Sequence, residues 1–268
     1  AELCLPTGVI IFEPQPSEYF APKEAPPRLT RLREKLKALR RYSVDRVLCL
    51  QFNRQLASLS ADQFIRRILL DGLDVKYLVV GDDFRFGKGR SGDFALLQEA
   101  GREHGFEVVN MHTFSLGGSR VSSTRIRAAL AAGDMEGAEQ LLGRPYRMCG
   151  RVAHGDKRGR SIGFPTANLF LHRQVTPVTG VFAVEMFGVQ GEPVPGVANV
   201  GTRPTVDGTR ALLEVHLFDF AEEIYGRYVH VDFLRKLREE RRFDSFAALK
   251  EQIAQDVRHA RDFFQKRA

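Results

Sequence analysis

The sequence predicts an α/β amino-terminal domain built on a doubly wound parallel sheet, then an antiparallel β-barrel domain that closes on a long helix. Three observations carry this. Up to about residue 143, short β-branched apolar runs alternate with segments of helical period, the pattern of parallel strands buried on both faces. Past Gly143-Arg144-Pro145 come short strands separated by glycine and proline, which suits a barrel or a sandwich. The chain then ends on an amphipathic stretch.

In order, residues 8–12 (Gly-Val-Ile-Ile-Phe) read as a buried strand. Pro14, Pro16, Pro22, Pro26 and Pro27 argue against regular structure until about Arg28. Leu29, Leu32, Leu36 and Leu39 then recur at helical spacing. A strand is expected at 46–52, a helix at 62–70 capped by Ser60, a strand at 77–80, a helix at 91–104 and a strand at 107–114. Ser122-Ser123-Thr124 opens a helix running to about 132, and 133–143 is a shorter helical segment. The domain boundary is placed there, giving domains 1–143 and 144–268. Beyond it, strands are expected at 146–153, 180–189, 195–200, 212–218 and 228–234. The closing helix, 244–264, is capped by Ser245 and carries Phe246, Leu249, Ile253, Val257 and Ala260 on one stripe. The cationic run 235–242 reads as a solvated face.

With 268 residues, 43% apolar and 27% charged, the composition is that of an ordinary two-domain globular chain. No run approaches the ~18 apolar residues of a membrane span, and no signal peptide precedes the first strand. Cys4, Cys49 and Cys149 are widely spaced and make no Cys-x-x-Cys, which points to reduced thiols in a cytoplasm and away from zinc or disulfides. A net charge of +7 favours anionic ligands, phosphorylated small molecules or nucleic acid. The cations are spread along the chain without the aromatic-basic pattern of an RNA module, which weighs against nucleic acid.

The chemistry concentrates at 155–168, Gly-Asp-Lys-Arg-Gly-Arg-Ser-Ile-Gly-Phe-Pro-Thr-Ala-Asn. Gly155, Gly159 and Gly163 let backbone N–H groups approach an anion, and Lys157 adds charge. This is not a P-loop, and the residues alone equally describe a basic hairpin. Thr166 and Asn168 share a face of an extended segment and offer hard oxygen ligands suited to Mg²⁺. Glu214 and His216 alternate with Leu213, Val215 and Leu217. A carboxylate on so apolar a strand is either a paired surface group or a general base. His216 reads as structural, since no metal-spaced histidine accompanies it. Two further stretches lie where a parallel sheet binds ligands, residues 81–87 (Gly-Asp-Asp-Phe-Arg-Phe-Gly) and the helix opening at Ser123, Thr124 and Arg127.

Residues 159–168 resemble the signature of riboflavin kinases, and nearly the whole chain resembles the bacterial bifunctional riboflavin kinase/FAD synthetases. The likeness includes 81–87, 122–127, Gly-Val-Ala-Asn-Val-Gly-Thr-Arg-Pro-Thr at 196–205 and Glu-Val-His-Leu-Phe-Asp at 214–219. It implies a nucleotidyltransferase-like first domain and a riboflavin kinase barrel, with ATP, riboflavin and FMN as substrates and Mg²⁺ as cofactor. Glu214 is then the catalytic base, and Thr166 and Asn168 hold the metal. Gly155, Lys157, Gly159, Gly163, Phe164 and Pro165 bind ATP. Asp82, Phe84, Ser123, Thr124 and Arg127 border the adenylyltransferase nucleotide and FMN, as does the loop 13–20. One family motif is missing: no His-x-Gly-His occurs, and the first histidine is His104. The resemblance therefore implies an incomplete first domain, with kinase activity intact and adenylylation impaired.

Overall fold

The structure is a computed structural model and describes residues 3–81, 83–111, 114–154, 163–171, 173, 175–205 and 208–267. By its contacts the chain divides into two compact units, Ala1–Pro26 with Leu36–Val121, and Pro27–Lys35 with Ser122–Ala268.

In the first unit β1 (Gly8–Glu13) and β2 (Arg46–Gln51) pair in parallel, Gly8 against Arg46 and Glu13 against Gln51. β3 (Tyr77–Val80) and β4 (Glu107–Asn110) make a second parallel pair. The proline-rich stretch, expected to be irregular, holds a helix, α1 (Pro16–Phe20). Pro16 lies in the first turn, where a missing N–H costs nothing, and the Glu18 carboxylate accepts the Gln15 N–H at 2.9 Å. α2 (Leu32–Arg41) starts later than its leucine spacing suggested, and only its part from Leu36 onward is counted in this unit. α3 (Arg54–Ala57), capped by Asn53, is too short to show a period. Ser60 caps α4 (Ala61–Phe64), which continues as a π-helical turn, Ile65–Leu70. α5 (Phe94–His104) begins at its Asp93 cap and stops at Gly105, whose φ of 76° is the left-handed region. After β4 the chain makes a hairpin of β5 (Ser115–Leu116) and β6 (Ser119–Arg120), so the strand expected to reach 114 ends early. Leu69, Leu97, Ile65, Phe64, Phe86 and Phe106 form this unit's core.

In the second unit six strands close into a barrel in the order β10-β11-β8-β7-β12-β9. They are β7 (Tyr146–Ala153), β8 (Ala167–Phe170), β9 (Gly180–Phe187), β10 (Val194–Thr205), β11 (Gly208–Leu217) and β12 (Tyr228–Arg238). Met148, Leu169, Phe182, Val184, Leu213 and Val231 fill the interior, each fully buried. α6 (Ser123–Ala132) and α7 (Met135–Leu142), read from sequence as the end of the first domain, add Ile126, Leu130, Met135 and Ala138 to this core. α8 (Phe246–Gln265) lays Val257, Ala260, Phe263 and Phe264 against Val181, Ala183, Val197 and Phe218. Its buried face also carries Asp256, which accepts two bonds from Arg238 at 2.9 and 2.7 Å. Arg238 therefore fastens α8 to β12, and the cationic run is not simply a solvated face.

The segment Pro27–Lys35 is bound to this unit by polar contacts of long sequence separation. Arg173 donates to the Glu34 carboxylate and to the Arg28 carbonyl, both at 2.6 Å, and both charged side chains are almost fully buried. Arg31 donates to the carbonyls of Leu171 and Cys149, while Glu34 accepts the Cys149 N–H. The Tyr146 hydroxyl donates to the Leu29 carbonyl. Burial of that phenol pushes its pKa up to about 12.

Candidate active site

β11 pairs with β8 antiparallel, setting Leu213 opposite Leu169, Glu214 opposite Asn168 and Val215 opposite Ala167. Leu213, Val215 and Leu217 point into the barrel core, so strand alternation turns Glu214 and His216 to the other face. Directly opposed residues share a face, which puts Asn168 beside Glu214. Glu214 is half-buried, and Asn168 is only 7% exposed. The Asn168 side-chain N–H donates to the Thr166 carbonyl at 3.3 Å. A carbonyl cannot donate, so the amide nitrogen takes that bond and the amide oxygen is the atom presented to a cation. A pocket of about 290 Å³ is lined by Pro165, Thr166 and Asn168 together with Val215, Leu217, Phe220 and Tyr225; Glu214 is not among its lining residues. Tyr225 stacks on His154 with ring centroids 3.9 Å apart.

Thr166, Asn168, Phe164 and Pro165 thus gather with Glu214 at one place. Gly163, where the described part of the loop resumes, has φ of 88°, open to glycine without strain. Gly155, Lys157 and Gly159 lie outside the described residues, as does Asp82. Among the described residues no group of three or more His, Cys, Asp or Glu side chains is arranged to hold a metal. A hydroxyl and an amide oxygen nonetheless fit Mg²⁺, which binds few protein ligands and takes the rest from phosphates and water.

Phe84 belongs to the first unit, where it stacks on Phe86 at 5.6 Å and packs against the core. Ser123, Thr124 and Arg127 belong to the second unit. Ser122, one residue earlier, is the cap of α6, accepting the Arg125 N–H at 3.3 Å, so Ser123 and Thr124 stand in the first turn. The Arg127 Nε donates to the Pro27 carbonyl at 2.7 Å, and burial lowers its pKa from the ordinary arginine value. The sequence reading missed an aromatic cluster at the carboxyl ends of β1 and β2, in which Tyr19 and Phe20 meet Phe52, and Phe52 meets Phe12. Phe20 is 67% exposed there. The signal available was an aromatic at the end of each of two parallel strands, with the adjacent pair Tyr19-Phe20 between them.

Residues 142–264 match the family model described as riboflavin kinase, and residues 1–125 match that described as FAD synthetase. The chain is 56% identical over 260 residues to the bifunctional riboflavin kinase/FMN adenylyltransferase of Escherichia coli (strain K12), covering 97% of this chain and 83% of that protein. It is 53% identical over 263 residues to the protein of the same name from Haemophilus influenzae, covering 98% and 85%. Among solved structures it resembles one titled a macrolide-efflux protein from Streptococcus pneumoniae, with a TM-score of 0.78 and 33% identity over 95% of this chain and 83% of that one. Among the described residues no helix is long and apolar enough to cross a membrane.

Proposed function

The chain belongs to the family of bifunctional riboflavin kinase/FMN adenylyltransferases, and from that premise we propose how its residues divide the work. The protein phosphorylates riboflavin to FMN and adenylylates FMN to FAD, with ATP as the donor in both steps. We assign the kinase to residues 144–268 and the adenylyltransferase to 1–143.

In the kinase, Glu214 accepts a hydrogen bond from the primary hydroxyl of the ribityl chain and takes its proton as the new O–P bond forms and the bond to ADP breaks. A positioned base of this kind contributes ~10²–10⁴-fold. Thr166 and Asn168 would hold Mg²⁺, whose charge offsets that on the transferring phosphoryl group. Gly163, Phe164 and Pro165 end the loop whose backbone, with Gly155, Lys157 and Gly159, would cradle the phosphates. The observation that carries this reading is the register, Glu214 opposite Asn168 with Thr166 two residues before it. Little covalent chemistry is asked of the protein, so base, metal ligands and phosphate loop suffice.

In the adenylyltransferase an FMN phosphate oxygen attacks the α-phosphorus of ATP and pyrophosphate leaves. Ser123, Thr124 and Arg127 at the opening of α6 suit phosphate oxygens. Asp82 and Phe84 follow β3, where a parallel sheet receives ligands. The exposed ring of Phe20, braced by Tyr19 and Phe52, offers a flat apolar face to a flavin.

The test is incubation with riboflavin, ATP and Mg²⁺, with products separated by chromatography. Wild type makes FMN, and Glu214→Gln makes it at least about 10²-fold more slowly while still binding riboflavin. A Glu214→Gln rate within threefold of wild type would remove Glu214 from the chemistry.

A further inference from the structure

β11 carries a second polar side chain on the face of Glu214. His216 Nδ1 lies 2.9 Å from the Pro165 carbonyl oxygen, across 51 residues of sequence. The ring is fixed on two sides, edge-on to Phe164 at 5.4 Å and to Phe218 at 6.1 Å. A carbonyl oxygen has no proton to give, so Nδ1 carries the hydrogen and donates it. Burial disfavours the charged ring and lowers its pKa. The tautomer that fits this partner carries its proton on Nδ1.

The Pro165 carbonyl belongs to the peptide group that begins Thr166. Proline has no N–H, so that carbonyl is the one backbone polar group by which Pro165 can be held. On the far side of the same short turn, the Thr166 carbonyl is held by Asn168. Two successive carbonyls, of Pro165 and Thr166, are therefore each gripped by a side chain, and between them they fix the orientation of Thr166 and Asn168. The grip on the first comes from the strand that also carries Glu214.

We propose that His216 is a positioning residue for the kinase, its Nδ1–H holding the Pro165 carbonyl so that the oxygens of Thr166 and Asn168 are set at a fixed distance from Glu214. This rests on the assignment of those three residues to the kinase site. One rigid strand aligns base and metal ligands together, and a turn free to rock would keep the fold while losing the alignment.

The test uses the full chain with His216→Asn, His216→Gln and His216→Ala. An asparagine amide nitrogen falls near the place of Nδ1, and a glutamine amide falls near Nε2. Calorimetric affinity for Mg²⁺-ADP is measured apart from turnover, alongside kcat for FMN formation and the rate of FAD formation from supplied FMN. The expected result is about a tenfold loss of Mg²⁺-ADP affinity in the Ala and Gln variants, the scale of one well-placed hydrogen bond. The Asn variant should return to within threefold of wild type, and FAD formation should be unchanged in all three. In the wild type, imidazole ¹⁵N resonances should show the proton on Nδ1. Equal affinity in the Ala and Asn variants, whether both are retained or both are lost, overturns the proposal, as does a proton on Nε2. Asn168→Ala separates the two levels. If it leaves Mg²⁺-ADP affinity intact, the site assignment fails. If it lowers affinity and His216→Ala does not, the assignment stands and the positioning role fails.

Discussion

Glu185 on β9 faces Asp232 on β12, and Asp232 is already taken by two hydrogen bonds from Arg147. Burial first, and then the Asp232 charge, raises the Glu185 pKa above its ordinary 4.5, with Arg267 pulling the other way. The folded chain therefore holds this proton more tightly than the unfolded chain does. Its contribution to stability is fully present below 4.5 and is lost as pH rises through the raised value. Glu185→Gln should accordingly raise the melting temperature at pH 7 and leave it unchanged at pH 4. An equal shift at both pH values would assign the effect to packing instead. Such residues are the hardest to read from sequence. The alternation of 211–220 picked out Glu214 as a carboxylate on an apolar strand, because period two is local. That Asn168 stands opposite it depends on the pairing of β8, a strand of only four residues that carries too little pattern to announce itself. The contact of His216 with Pro165 was out of reach for the same reason.

Elements were legible where one face is apolar over several turns or one cap is strong. Ser60, Ser122 and Ser245 all cap the helices that follow them, and each accepts an N–H three residues on. α1 was not legible, because prolines that end a helix also begin one. The segment 27–35 was read as irregular chain and the start of a leucine-spaced helix, and nothing local shows that Glu34 is buried. Its partner Arg173 lies 139 residues away. Arg173→Ala should cost about 3 kcal/mol or more in denaturant unfolding of the second unit, since it leaves a buried carboxylate with less than its share of compensation. Glu34→Gln combined with Arg173→Met should recover most of that loss, because removing both charges removes the penalty of burying either. A double variant no more stable than Arg173→Ala would show that the segment is held by its backbone contacts and not by this pair.

At the scale of the molecule, each unit has its own core, and the change of pattern from alternating strands and helices to short strands foretold two architectures. The allotment of Pro27–Lys35, α6 and α7 to the barrel was not foretold, because hydrophobic period says that a face is buried and not against what. The residues proposed for the kinase, Glu214, Thr166 and Asn168, are not among those proposed for the adenylyltransferase, which predicts separable chemistry. Glu214→Gln should still convert supplied FMN to FAD at the wild-type rate while making almost none from riboflavin, and a parallel loss of both would tie the two activities to one site. The segment 27–35 also has a consequence during synthesis. Arg31 is joined to the chain 140 residues before Leu171, whose carbonyl it will hold. At roughly 5–20 residues per second, that is an interval of about 7–28 s. For that time Leu29 and Glu34 have left the ribosome with no barrel to receive them, so a stall after Lys35 and before Arg173 has emerged prolongs the life of a nascent chain whose segment 27–35, with four cations around the one carboxylate, lacks its partners.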